Sequence, residues 1–149
     1  MKSKLTALIE SAQKENIQLA LTISKNPDKL VEEYHKVLLF LSSKGKWRRD
    51  EKREYWEYLE NDTERIYSLL SRNEVILENC GLRKIPTEIF PLKNIEYLFL
   101  ENNHIKDISN EILKFPKLTF IYLSNNPIAK DKTKIDSLQK LIPKCKIVL

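Results

Sequence analysis

The chain has 149 residues, 42% of them hydrophobic and 32% charged, with a net charge of +5. This length holds one domain or a small array with an attached cap, and a composition with only 2 Gly excludes a low-complexity or disordered protein. The basic excess is spread evenly, with 14 Lys and Arg against 12 acidic residues in 1–72 and 12 against 9 in 73–149, so charge alone does not point to a nucleic acid.

The N-terminal stretch lacks the apolar heart of a signal peptide, because Glu10 and Lys14 interrupt it. The longest apolar run, Val37–Leu41, falls far short of a membrane span. The expectation is a soluble, cytoplasmic protein with no membrane partner. Residues 4–25 have helical spacing. Leu5, Leu8, Ile9 and Ala12 form one stripe, and Ile17, Leu19, Ala20 and Ile23 continue it after a change of phase that suggests two short helices with Asn16 as N-cap. Asn26 followed by Pro27 restarts the chain as a cap and a first helical residue. Leu30, Val31, Tyr34, Val37, Leu38 and Leu41 then make one apolar face, and Ser42 to Gly45 ends that helix. Lys46 to Arg53 opens a further helix carrying Tyr55, Trp56 and Leu59. Asn61 with Glu64 forms a capping box for another helical piece bearing Ile66, Leu69 and Leu70.

From residue 73 the pattern changes to an internal repeat. Ile95, Leu98, Leu100, Asn103 and Ile105 recur 23 residues later as Leu118, Ile121, Leu123, Asn126 and Ile128. One turn earlier, Val75, Leu77, Cys80 and Leu82 hold the same register, with Arg72 at the first leucine position. The outer half repeats as well. Leu82 to Ile89 aligns with Ile105 to Ile112, and Leu92 with Phe115. This L-x-x-L-x-L-x-x-N-x-L wording resembles the leucine-rich repeat family, in its short bacterial type with 23-residue repeats. The resemblance covers residues 73–149 and allows Cys in place of Asn at position 80. It implies an α/β fold: a leucine-rich repeat solenoid with a short parallel sheet. Strands are expected at 74–78, 97–101 and 120–124, with a fourth at Lys146–Leu149. The helix from about Lys132 to Ile142, with Ile135, Leu138 and Leu141 inward, closes the array. A solenoid turn cannot bury its own edge, so residues 1–72 are expected to serve as an N-terminal α-helical cap on the repeat domain, 73–149.

Alternation along the strands places Val75, Leu77, Leu98, Leu100, Ile121 and Leu123 in the core. Their neighbours form three columns on the concave face: Glu74, Tyr97 and Phe120; Ile76, Phe99, Tyr122 and then Val148; and Glu78, Glu101 and Ser124. An aromatic patch rimmed by two glutamates is the wording of an interface rather than of a solvated sheet. Ile76, Glu78, Tyr97, Phe99, Glu101, Phe120 and Tyr122 are therefore the expected protein-binding residues. The partner is a protein or peptide, or a second copy in a homo-oligomer. Aromatic residues can also enter a strand through β-propensity alone. Asn79, Asn102 and Asn125 are read as turn residues, and Asn103 and Asn126 as side chains that satisfy backbone groups.

Catalytic wording is missing. His35 and His104 have no partners at metal-ligand spacing, and two glycines make no phosphate loop. Cys80 and Cys145 lie at opposite ends of the array, roughly 14 Å apart across three strand spacings, too far for a disulfide. Both are expected as reduced, buried, small hydrophobes. No enzyme, no metal and no cofactor is expected. An alternative site is the segment Lys44 to Arg53, where Lys46, Trp47, Arg48 and Arg49 could contact phosphates and stack a base. Asp50 and Glu51 dilute that patch, so nucleic acid is the secondary reading.

Overall fold

The computed structural model describes residues 4–44 and 61–149. The expected helix from Lys46, and with it the basic segment from Gly45 to Arg53, lies outside the described residues. Among the described residues four helices precede the repeats: α1 (Lys4–Glu10), α2 (Lys14–Ile23), α3 (Pro27–Lys44) and α4 (Asp62–Leu70). The break between the first two comes earlier than the sequence suggests. Ala12 takes a left-handed φ of 52°, and Gln13, not Asn16, is the N-cap of α2. Asn16 instead lies in the first turn and donates to Ser11 Oγ and Gln13 Oε1. The two Asn caps form as the spacing requires. Asn26 accepts from Lys29 N at 3.1 Å and Asn61 accepts from Glu64 N at 3.0 Å, each satisfying a donor that the first helical turn leaves open.

The helices bury one face each. Val31, Tyr34, Val37 and Leu41 of α3 and Ile66, Leu69 and Leu70 of α4 are buried, with Ile9 of α1 and Ile17 and Ala20 of α2. Leu19 and Ile23 depart from the expected stripe and are 47% and 55% exposed, because α2 turns Ile17 and Ala20 into the core instead. Asn94 Nδ2 donates to Leu70 O at 2.7 Å, a direct link from the end of α4 to the repeats.

The repeats form one parallel sheet in the order β1 (Glu74–Ile76), β2 (Tyr97–Phe99), β3 (Phe120–Tyr122) and β4 (Lys146–Val148). Each strand has three fully paired residues, two fewer than expected in the first three. Single bonds nonetheless continue the pairing, with Leu77 N to Phe99 O at 2.8 Å and Asn79 N to Glu101 O at 3.0 Å. The chain then turns through Asn79, Asn102 and Asn125, all at φ 56°. Asn tolerates this left-handed region better than other side chains with a Cβ, which explains its return every 23 residues. Short 3₁₀ segments, Thr87–Ile89, Asn110–Lys114 and Pro127–Lys130, form the outer side. Helix α5 (Lys132–Leu141) follows, capped by Asp131 on Lys134 N at 3.1 Å, and Leu138 is its buried residue.

Asn103 and Asn126 are 2% and 1% exposed and run as a ladder through the turns. Asn103 Oδ1 accepts from Cys80 N at 3.0 Å and Leu82 N at 2.9 Å, while its Nδ2 donates to Leu77 O and Leu100 O, both at 2.8 Å. Asn126 accepts from Ile105 N at 3.0 Å and donates to Leu100 O at 2.8 Å. Each Asn thus satisfies backbone groups of its own turn and of the turn before, groups that would otherwise be buried without partners.

Cys80 corrects one expectation. It is half-buried rather than a core hydrophobe, and its thiol donates to Lys44 O at 2.9 Å at the end of α3. The first rung has no earlier repeat to bond, so a smaller donor that reaches the helical region stands there. Cys145 is buried as expected, and neither cysteine is in a disulfide. The buried residues of helices and repeats make one continuous core from Ile9 to Cys145. Each fully buried Leu or Ile contributes about 2 kcal/mol by removing apolar surface from water.

Candidate functional site

The register of the sheet decides which side chains share a face. Tyr97 pairs with Glu74 on one side and Phe120 on the other, and Phe99 with Ile76 and Tyr122. β4 extends both rows, placing Lys146 beside Phe120 and Val148 beside Tyr122. The third row continues beyond the strands, since Asn79 N bonds Glu101 O and Asn102 N bonds Ser124 O at 2.9 Å. All seven residues read as protein-binding from the sequence, Ile76, Glu78, Tyr97, Phe99, Glu101, Phe120 and Tyr122, therefore fall on one side of one sheet. Lys46, Trp47, Arg48 and Arg49 lie outside the described residues.

The rings are ordered against one another. Tyr97 and Phe120 stack with centroids 5.3 Å apart and planes at 6°, and Phe99 and Tyr122 stack at 4.5 Å and 13°. Phe120 and Tyr122, two residues apart on β3, join the two stacks at 6.3 Å and 20°. Offset stacks of this kind are worth about 1 kcal/mol each beyond the area they bury. Stacking also explains the burial. Ile76 and all four aromatic residues are half-buried, because each ring covers a face of its neighbour and offers the rest outward. The patch is a firm apolar wall, while Glu74 is only 9% exposed and Glu78 and Glu101 are half-buried beside it.

Sequence reasoning missed one participant. Lys146 Nζ sits 6.0 Å from the Phe120 centroid, a cation over a ring at the far end of the first row. The step from Phe120 to Lys146 is 26 residues, so the 23-residue period does not reveal it.

Among the described residues no group of three or more His, Cys, Asp or Glu could hold a metal ion. His35 and His104 are both exposed. Burial pushes the Cys145 thiol up to about 11, so it is a poor nucleophile at neutral pH. No helix among the described residues is long and apolar enough to cross a membrane.

The family model for leucine rich repeat matches residues 73–128. Eight chains of solved structures also match. One is a leucine-rich repeat protein of Leptospira interrogans, 33% identical over 46% of this chain and 17% of that one, with a TM-score of 0.42. The chain thus spans about a sixth of that structure's length. No curated protein matches. The family suggests a protein-interaction module, typically without catalytic activity. Over residues 73–128 the chain is thus similar to leucine-rich repeats, and its parallel sheet and asparagine ladder fit that likeness.

Proposed function

We propose that this chain is a non-catalytic protein-interaction module that holds a protein or peptide against the concave face of its sheet. The observation that carries the reading is the pair of stacked aromatic columns, Tyr97 with Phe120 and Phe99 with Tyr122. Four ordered rings offer large apolar contact at little cost in side-chain entropy, which is the character of an interface core. Glu78 and Glu101 form the polar rim that would orient a partner. In the same proposal the chain divides into 1–72, a helical cover for the first turn, and 73–149, the repeats with their closing helix and strand. The bonds that Cys80 donates to Lys44 O and Asn94 donates to Leu70 O support that division of labour. Two cysteines outside any disulfide suit a reducing compartment, and we place the protein in the cytoplasm on that basis.

The test is a pull-down of partners with wild type and with Phe99→Ala plus Tyr122→Ala. Loss of the captured protein in the double variant is expected, and undiminished capture refutes the reading. Light scattering at two concentrations separates the remaining occupant. A dimer that Phe99→Lys dissociates would mean that a second copy uses the face.

A further inference from the structure

The opposite side of the array carries a different chemistry. Two hollows lie on the outer side, of ≈ 480 Å³ and ≈ 370 Å³, and both are lined by Asp107 and Ile108, so they adjoin. Ile85, Phe90 and Ile112 line one, and Ile128, Leu138 and Leu141 line the other. Together they make a groove with an apolar floor that crosses the outer turns of three successive repeats.

Its rim is cationic. Arg83, Lys84, Lys106 and Lys140 are exposed, and none has an ion-pair partner among the described residues. Both groove carboxylates are already engaged, Asp107 by Lys134 at 2.7 Å and Glu111 by Lys114 at 2.7 Å. The field over the groove is therefore set by four uncompensated cations on an apolar floor. No residue of the groove belongs to the aromatic face.

We propose that this outer groove docks an acidic peptide segment whose apolar side chains enter the two hollows while its carboxylates meet the rim. Charge complementarity chooses an anionic partner, and the floor chooses between anions. Stacking of bases needs open aromatic faces, but Phe90 is only 6% exposed and the other five named floor residues are aliphatic. A peptide alternating apolar and acidic residues satisfies both floor and rim. At roughly 3.3 Å per residue, about three or four extended residues span the two repeat spacings of the groove. The proposal stands apart from the concave-face reading, so the protein could hold two partners at once.

The experiment is fluorescence anisotropy of the full chain with a short fluorescein-labelled peptide of alternating Asp and Leu. An Asn-Leu peptide of equal length and a labelled oligothymidylate are the comparisons. The Asp-Leu peptide is expected to bind tightest and to weaken as salt rises. Lys84→Glu with Lys106→Glu should weaken it by at least about tenfold, since the rim then repels carboxylates. Lys144→Glu, exposed and outside the groove, should change it less than about twofold. Phe99→Ala with Tyr122→Ala should leave it unchanged, and a loss there would transfer the peptide to the concave face and overturn the proposal. Absence of binding to wild type, equal binding of the Asn-Leu peptide, or tighter binding of oligothymidylate would each overturn it too.

Discussion

The ladder predicts unequal costs for two asparagines that look equivalent in the repeat. Replacing Asn103 by Ala removes the acceptor of Cys80 N and Leu82 N and the donor to Leu77 O. It also removes one donor to Leu100 O, but that carbonyl keeps Asn126 Nδ2 at 2.8 Å. Three backbone groups thus lose the partner they have in the ladder. At about 1 kcal/mol for each buried group left unsatisfied, Asn103→Ala should cost about 3 kcal/mol. Asn126→Ala removes the acceptor of Ile105 N, while Leu123 O keeps the Asn126 N–H at 3.2 Å and Leu100 O keeps Asn103. Its cost should be about 1 kcal/mol. The double variant also strips Leu100 O of both donors, so it should exceed the sum by about 1 kcal/mol, a coupling through one shared carbonyl. Urea unfolding followed by circular dichroism reads all three values, and Asn103→Ala alone should lower Tm by about 9 °C in a chain of this size. An Asn103→Ala cost no greater than that of Asn126→Ala would refute the reasoning, because water would then be serving the open groups.

Three further outcomes follow from other parts of the molecule. Asn79→Gly should change stability little, while Asn79→Ala should cost about 1 kcal/mol because an Ala Cβ is strained at φ 56°; thermal melts of the pair check this. A double-mutant cycle between Phe99 and Tyr122 should return a coupling of about 1 kcal/mol, measured by urea unfolding, as expected for rings 4.5 Å apart. The Cys145 thiol is raised from 9.0 to about 11 by burial, so the unfolded chain releases that proton at lower pH than the folded one. Its contribution to stability is full below pH 9.0 and fades between there and about 11, and Cys145→Ala should flatten that loss in urea titrations over the same range.

The repeat half was legible because its signals are redundant. Val75, Leu98 and Ile121 fix which residues face inward, and the same alternation fixes Tyr97, Phe99, Phe120 and Tyr122 as their outward neighbours. A parallel sheet of equal turns leaves no freedom of register, so columns can be drawn before any coordinates exist. The helical half was legible at its Asn caps and less so in its faces. Leu19 and Ile23 continue an apolar stripe in sequence, yet α2 buries Ile17 and Ala20 instead, a choice made by neighbouring helices rather than by α2. Cys80 was misjudged for a related reason. Its partner is the carbonyl of Lys44, 36 residues away, and no local pattern signals such a contact. Lys146 was missed because the closing segment departs from the repeat length. The outer groove was missed because its walls come from three turns, and of its four cations only Arg83 and Lys106 share the 23-residue spacing.

The stacked rings also bear on how far the array can bend. A solenoid curves because its outer turns are wider than its strands, so the inner side is the compressed one. Neighbouring strands lie about 4.8 Å apart, and the Phe99 and Tyr122 rings already stand 4.5 Å apart on that side. Further closure would drive π-faces into overlap, whereas opening would only separate them. The two columns therefore act as a mechanical stop against further closure of this face of the sheet. A partner laid along it meets a wall that can flatten but cannot clamp, so its grip must come from its own fit to the rings.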